Sequence, residues 1–147
     1  YRTKLGHKDV YTPQFIIDGR LEAPGNHLRR VLQLLGRSQT VVGPPISFDR
    51  SGRLVIVGGG PEPRGGAEGW LIRYDPRILT VAVRGGENRG VAVVHRNTVR
   101  ELVRLGPWTG RPRSYALPRP TTPGLRSAVV VQSLRGPGGV LGAGRDG

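Results

Sequence analysis

The rhythm of apolar positions along this chain changes once, near residue 37. Before that point a short apolar run, Phe15-Ile16-Ile17, is entered through Thr12-Pro13 and left at Asp18-Gly19. Proline cannot donate to a sheet ladder and suits the first residue of a strand or an edge. The Asp18-Gly19 step suits the positive φ angles of a two-residue hairpin, so a second strand should follow directly. Asn26 then stands where a helix cap is expected. Leu28, Val31, Leu32, Leu34 and Leu35 recur at helical spacing up to Gly36, which reads as the C-terminal stop.

After Arg37 short β-rich runs alternate with Gly/Pro turns. The runs are Val41-Val42, Ile46-Ser47-Phe48, Leu54 to Val57, Gly69 to Asp75, Ile78 to Arg84, Val91 to His95, Thr98 to Leu105, Ser114 to Leu117, Arg126 to Ser133 and Val140 to Ala143. Thr98 to Leu105 fits either period, since Val99, Leu102 and Leu105 also suit a helix. The β context around Gly106-Pro107 favours a strand. About seven short strands without intervening helices predict an antiparallel sandwich. Trp70, Ile72 and Tyr74 should share one face of their strand. Domain boundaries are placed at residues 1–38 and 39–147.

Composition narrows the function. The 147 residues carry a net charge of +13, with 24 Gly and 13 Pro. A basic surface attracts phosphate, yet Lys4 and Lys8 are the only lysines and the arginines are spread along the whole length. With two Phe, four Tyr and two Trp, base-stacking platforms are few, and no helix-turn-helix, zinc-finger or RNP-type pattern appears. Nucleic acid is not the expected partner. There is no cysteine, so neither a disulfide nor thiol chemistry can originate in this chain. His7, His27 and His95 lack metal-ligand spacing. Neither a metal nor a cofactor is expected. No apolar run reaches the ~18 residues of a membrane span. With no methionine and a start at Tyr1, the chain is expected to be a fragment or a processed product.

Proline, strand, turn, strand, helix is also the order of the second half of a thioredoxin fold. Several phrases carry a wider likeness. They are Tyr11-Thr12-Pro13-Gln14 with Asp18-Gly19-Arg20, Arg84-Gly85-Gly86-Glu87-Asn88-Arg89-Gly90, His95-Arg96-Asn97-Thr98-Val99-Arg100, Leu105-Gly106-Pro107-Trp108-Thr109-Gly110, and Val131-Gln132 with Leu141-Gly142-Ala143. Together they resemble the DUF1223 family, bacterial proteins with an N-terminal thioredoxin-like domain and a C-terminal β-sandwich. The resemblance implies a secreted or periplasmic location and a fold that is α/β plus all-β: the C-terminal remnant of a thioredoxin-like domain followed by an antiparallel β-sandwich. The family's Cys-Ser-Ser-Cys-Pro-Pro-type segment has no counterpart here.

The resemblance also implies that the Thr12–Pro13 bond is cis, a feature of about one X-Pro bond in twenty. Thr12 and Pro13 would then border a substrate site and offer backbone groups to an extended polypeptide. Glu87, Asn88, His95 and Asn97, with Trp108, are the candidates for a second site, where a carboxylate and a histidine across a hairpin would act as an acid/base pair; fixing the loop by hydrogen bonds is the commoner role. Trp70 and Trp108 could be recognition aromatics, although packing between the sheets is the commoner use. The terminal Gly142-Ala143-Gly144-Arg145-Asp146-Gly147 spells GxGxxG but precedes no helix, so it does not read as a dinucleotide site. Catalysis by this chain is not expected. The leading expectation is a non-catalytic fragment of a protein active in thiol-disulfide exchange or polypeptide binding. The alternatives are a structural or protein-binding sandwich module with no redox role, and electrostatic binding of anionic polymers. Phe15 to Ile17 should present an unpaired apolar edge prone to self-association.

Overall fold

The computed structural model describes residues 13–38, 43–85 and 89–147. Within these residues eleven strands and one helix order as β1 (Gln14–Ile17), β2 (Leu21–Pro24), α1 (Leu28–Arg37), β3 (Ile46–Phe48), β4 (Leu54–Val57), β5 (Ala67–Asp75), β6 (Leu79–Ala82), β7 (Ala92–His95), β8 (Thr98–Trp108), β9 (Arg113–Ala116), β10 (Arg126–Ser133) and β11 (Val140–Arg145). All strand pairings are antiparallel. The described chain is therefore β-rich with a single short helix.

A four-stranded sheet, β11-β10-β5-β8, faces a three-stranded one, β3-β4-β9. Period-two alternation supplies the core between them. Val55 and Val57 come from β4, Tyr115 from β9, Ala67 and Leu71 from β5, Trp108 from β8, and Val129 and Val131 from β10. The glycines of β11 close one side of this sandwich. A Cβ on Gly142 would meet Pro44, one on Gly144 would meet Ile46, and one on Gly43 would fall on the Leu141 carbonyl oxygen. The terminal GxGxxG phrase thus serves backbone packing against β3.

The aromatic face of β5 points the other way from the core. Trp70, Ile72 and Tyr74 do share a face, and it is the half-buried outer one, while Ala67, Gly69, Leu71, Arg73 and Asp75 are buried on the opposite side. Buried charges are costly unless paired, and each has partners. Arg73 donates to the Ser127 hydroxyl at 2.9 Å and to the Pro118 carbonyl, and lies 3.7 Å from Glu101. Asp75 accepts from both the backbone and the guanidinium of Arg77, with Arg100 at 3.8 Å. These bonds stand where β5 and β8 continue outward into the β6–β7 ribbon, which among the described residues pairs only with itself.

The first hairpin and helix bury a cluster of their own: Ile17, Ala23, Val31 and Leu34, with Leu21 against it. Local chemistry here differs from expectation in three ways. The hairpin loop has three residues, because Ile17 pairs with Leu21. Asp18 and Gly19 take positive φ (53° and 66°) as the turn requires, and Arg20 adds the third residue. The helix is capped at His27, without a side-chain bond, and it runs through Arg37 to a C-cap at Ser38. Asn26 is therefore one residue too early to cap, and Gly36 lies inside the last turn, where its cost of about 1 kcal/mol is tolerable. Val41-Val42 falls outside the described residues.

Candidate functional site

The turn residues Asp18-Gly19-Arg20 seat the hairpin on the sandwich. The Val140 amide donates to the Asp18 carbonyl at 2.8 Å, and the Ser38 hydroxyl donates to the Asp18 carboxylate, tying turn and helix end together. The Arg20 guanidinium lies over Gly139, where a Cβ would stand 2.2 Å from Arg20 Nε. Aspartate in this turn thus does two jobs, tolerating left-handed geometry and bonding Ser38.

Beneath the turn, the outer face of the four-stranded sheet forms a half-open trough. One cleft of about 370 Å³ is lined by Ile16, Trp70, Ile72, Leu102 and Val130, with Asp18 and Gln132 among the polar residues at its rim. A second, of about 350 Å³, lies along the same strands and is lined by Ile72, Tyr74, Asn97, Val99 and Arg145. Ile72 lines both, so the two clefts adjoin along β5. The register explains the shape. Across the sheet, Arg145, Ala128, Ile72 and Leu102 form one row, and the small Ala128 lowers the floor beside Arg145. Trp70 to Tyr74 spans about 13 Å at strand rise, room for roughly four extended residues. An apolar floor with a few polar groups at its ends is the usual composition of a binding groove.

Charge on the strands that carry the trough is mostly satisfied. The Asp75 carboxyl is held at about 2 by the Arg77 hydrogen bonds and the nearby guanidinia. Glu101 is lowered by the hydroxyl and amide of Thr121, with Arg73 adding to this. Asp146 accepts from Arg126 at 3.0 Å and from the Ser127 amide at 2.8 Å. Buried Glu68 pairs with Arg104. Arg145 has no ion-pair or hydrogen-bond partner among the described residues.

The residues singled out by sequence are scattered. Pro13 is exposed just before β1, and its carbonyl accepts from the Gly25 amide at 2.7 Å. Thr12, Glu87 and Asn88 lie outside the described residues, and so does the Thr12–Pro13 bond. His95 is exposed at the end of β7. Asn97 takes left-handed geometry (φ 52°) in the turn into β8 and lines the trough. Trp108 is 2% exposed, with its indole N–H donating to the Gly58 carbonyl at 3.3 Å, so it packs the core. Among the described residues no cluster of three or more His, Cys, Asp or Glu could hold a metal, and no helix is long and apolar enough to cross a membrane. Sequence reading missed the trough and Arg145. The shared outward face of Trp70, Ile72 and Tyr74 was the available signal.

No curated protein matches this chain. A crystal structure of a protein from Agrobacterium tumefaciens is similar, with 25% identity and a TM-score of 0.68. The superposition covers 98% of this chain and 65% of that one, so the chain spans less than two thirds of its length. The profile described as "Protein of unknown function (DUF1223)" matches residues 1–132. With the match running over most of its length, this chain belongs to the DUF1223 family.

Proposed function

We propose that this chain is a non-catalytic polypeptide-binding part of a secreted or periplasmic thioredoxin-like protein, and that the trough on the outer sheet face is where an extended segment lies. The carrying observation is the pair of adjoining apolar clefts at Ile72, one of them also lined by Ile16, Asp18 and Gly19 of the docked β1–β2 hairpin. The order hairpin then helix, with Pro13 leading into β1, supports the thioredoxin-like reading of the first unit. Thiol-disulfide exchange needs a thiolate, and this chain has no cysteine, so its own contribution to such chemistry is to hold the polypeptide.

Trp70 lines the trough while Trp108 is buried, so ligand entry should change the emission of one tryptophan. Titration with short apolar peptides lacking Trp and Tyr is expected to give a saturable change. Leu102→Glu, at a side chain 63% exposed, should abolish it while leaving the melting transition in place. A flat titration against the folded protein contradicts the proposal and leaves the sandwich as a structural module.

A further inference from the structure

The trough has two unlike ends, and the difference sets the direction and chemistry of what it takes. At the hairpin end it is bounded by Asp18 and Gln132. At the other end stand Arg145 and Asn97. The carboxylates of the strands around that end already have partners: Asp75 and Glu101, on the opposite face of the sheet, bond Arg77 and Arg100, and Thr121 and Arg73, while Asp146 bonds Arg126 and the Ser127 amide. Arg145 is left as a cation with no counter-charge among the described residues, beside the Asn97 amide and over the low floor at Ala128. A planar guanidinium matches a carboxylate through two parallel hydrogen bonds, and an amide N–H₂ adds a third donor.

Building on the polypeptide-binding reading, we infer that the trough takes the C-terminal end of an extended polypeptide, with its terminal carboxylate at Arg145 and Asn97. Its last apolar side chains lie over Ile72, Leu102 and Trp70, and the chain runs toward the hairpin turn. The ~13 Å between Trp70 and Tyr74 fits about four residues. Capture of a terminal carboxylate beside apolar pockets is an established way for a small groove to gain specificity from few contacts.

The test compares two forms of one pentapeptide, Ser-Ala-Leu-Val-Val, with a free C-terminus and with a C-terminal amide, by tryptophan emission and calorimetry. The free acid should bind at least about tenfold more tightly, the range of a hydrogen bond to a charged group. Arg145→Gln should bring the free acid down to the level of the amide and leave the amide unchanged; Arg145→Lys should recover part of the difference. Arg145 is exposed at the last residue of β11, so both variants keep the core. Equal binding of acid and amide overturns the inference while the trough reading stands. Absence of binding by either form to the folded protein overturns both. Binding that weakens as protein concentration rises, with dimers in sedimentation, makes a second copy the occupant and also overturns the inference.

Discussion

Two glycine-to-alanine substitutions, chemically identical, should differ sharply in cost. Neither Gly43 nor Gly139 has positive φ, so the backbone accepts alanine at both and only the space decides. At Gly43 the new Cβ would lie 1.4 Å from the Leu141 carbonyl oxygen and 2.6 Å from its carbon. Both are backbone atoms of β11, and relief requires parting the strand from the segment that leads into β3. Overpacking that side chains can absorb costs about 1–3 kcal/mol. Here no side chain can move aside, so Gly43→Ala should cost about 3 kcal/mol or more. At Gly139 the nearest atoms belong to the Arg20 side chain, which is exposed and can swing away. Loss of its packing is offset by the about 0.4–1 kcal/mol that Gly→Ala recovers from the unfolded chain, so Gly139→Ala should be within about 1 kcal/mol of the parent. Urea unfolding followed by tryptophan emission measures both, with the midpoint shifting at unchanged slope. A neutral Gly43→Ala would refute the close seam between β11 and residues 43–46.

Further outcomes follow from the same packing. Trp108→Ala should cost about 3–5 kcal/mol by denaturant midpoint, because it empties a buried site between the two sheets. Folding lowers the Asp75 carboxyl from 3.8 to about 2 and the Asp49 carboxyl likewise. Their contribution to stability is therefore full above the unfolded value and is lost as pH falls from about 4 through 2. Asp75→Asn should flatten that acid limb in a thermal-melt series. Among the described residues β1 pairs with β2 alone, and Phe15, Leu28, Leu32 and Leu35 are exposed. Light scattering should show concentration-dependent association that Phe15→Lys reduces; a monodisperse monomer at all concentrations would contradict this.

Much of the sandwich was legible because its strands carry alternation bounded by Gly and Pro. Arg126 to Ser133 has the bounds of β10, and Thr98 to Leu105 forms a strand that runs on to Trp108. The helix from Leu28 was legible from its leucine spacing, while its ends were not, since Asn26 and Gly36 compete with the geometry of the preceding hairpin. The orientation of β5 was harder to read. Trp70, Ile72 and Tyr74 are its most apolar triplet, yet Arg73 and Asp75 face inward, because Ser127, Glu101 and Arg77 satisfy them. Two of those partners lie on other strands, and local sequence does not announce them. The same holds for Asp18-Gly19-Arg20. A turn is readable from three residues; its seat on Gly139 and Val140 is a long-range fact. Arg145 looked like part of a glycine-rich end, and only the register opposite Ala128 and Ile72 sets it at the mouth of the trough.

The account rests on the outer sheet face as a binding surface, and amide-resolved NMR during titration with the free-acid peptide tests this most directly. Shifts should concentrate at Trp70, Ile72, Leu102, Ala128, Val130, Asn97 and Arg145, with Val55, Val57 and Tyr115 on the opposing sheet unmoved. Shifts centred on the three-stranded sheet, or spread evenly with no saturation, would contradict it.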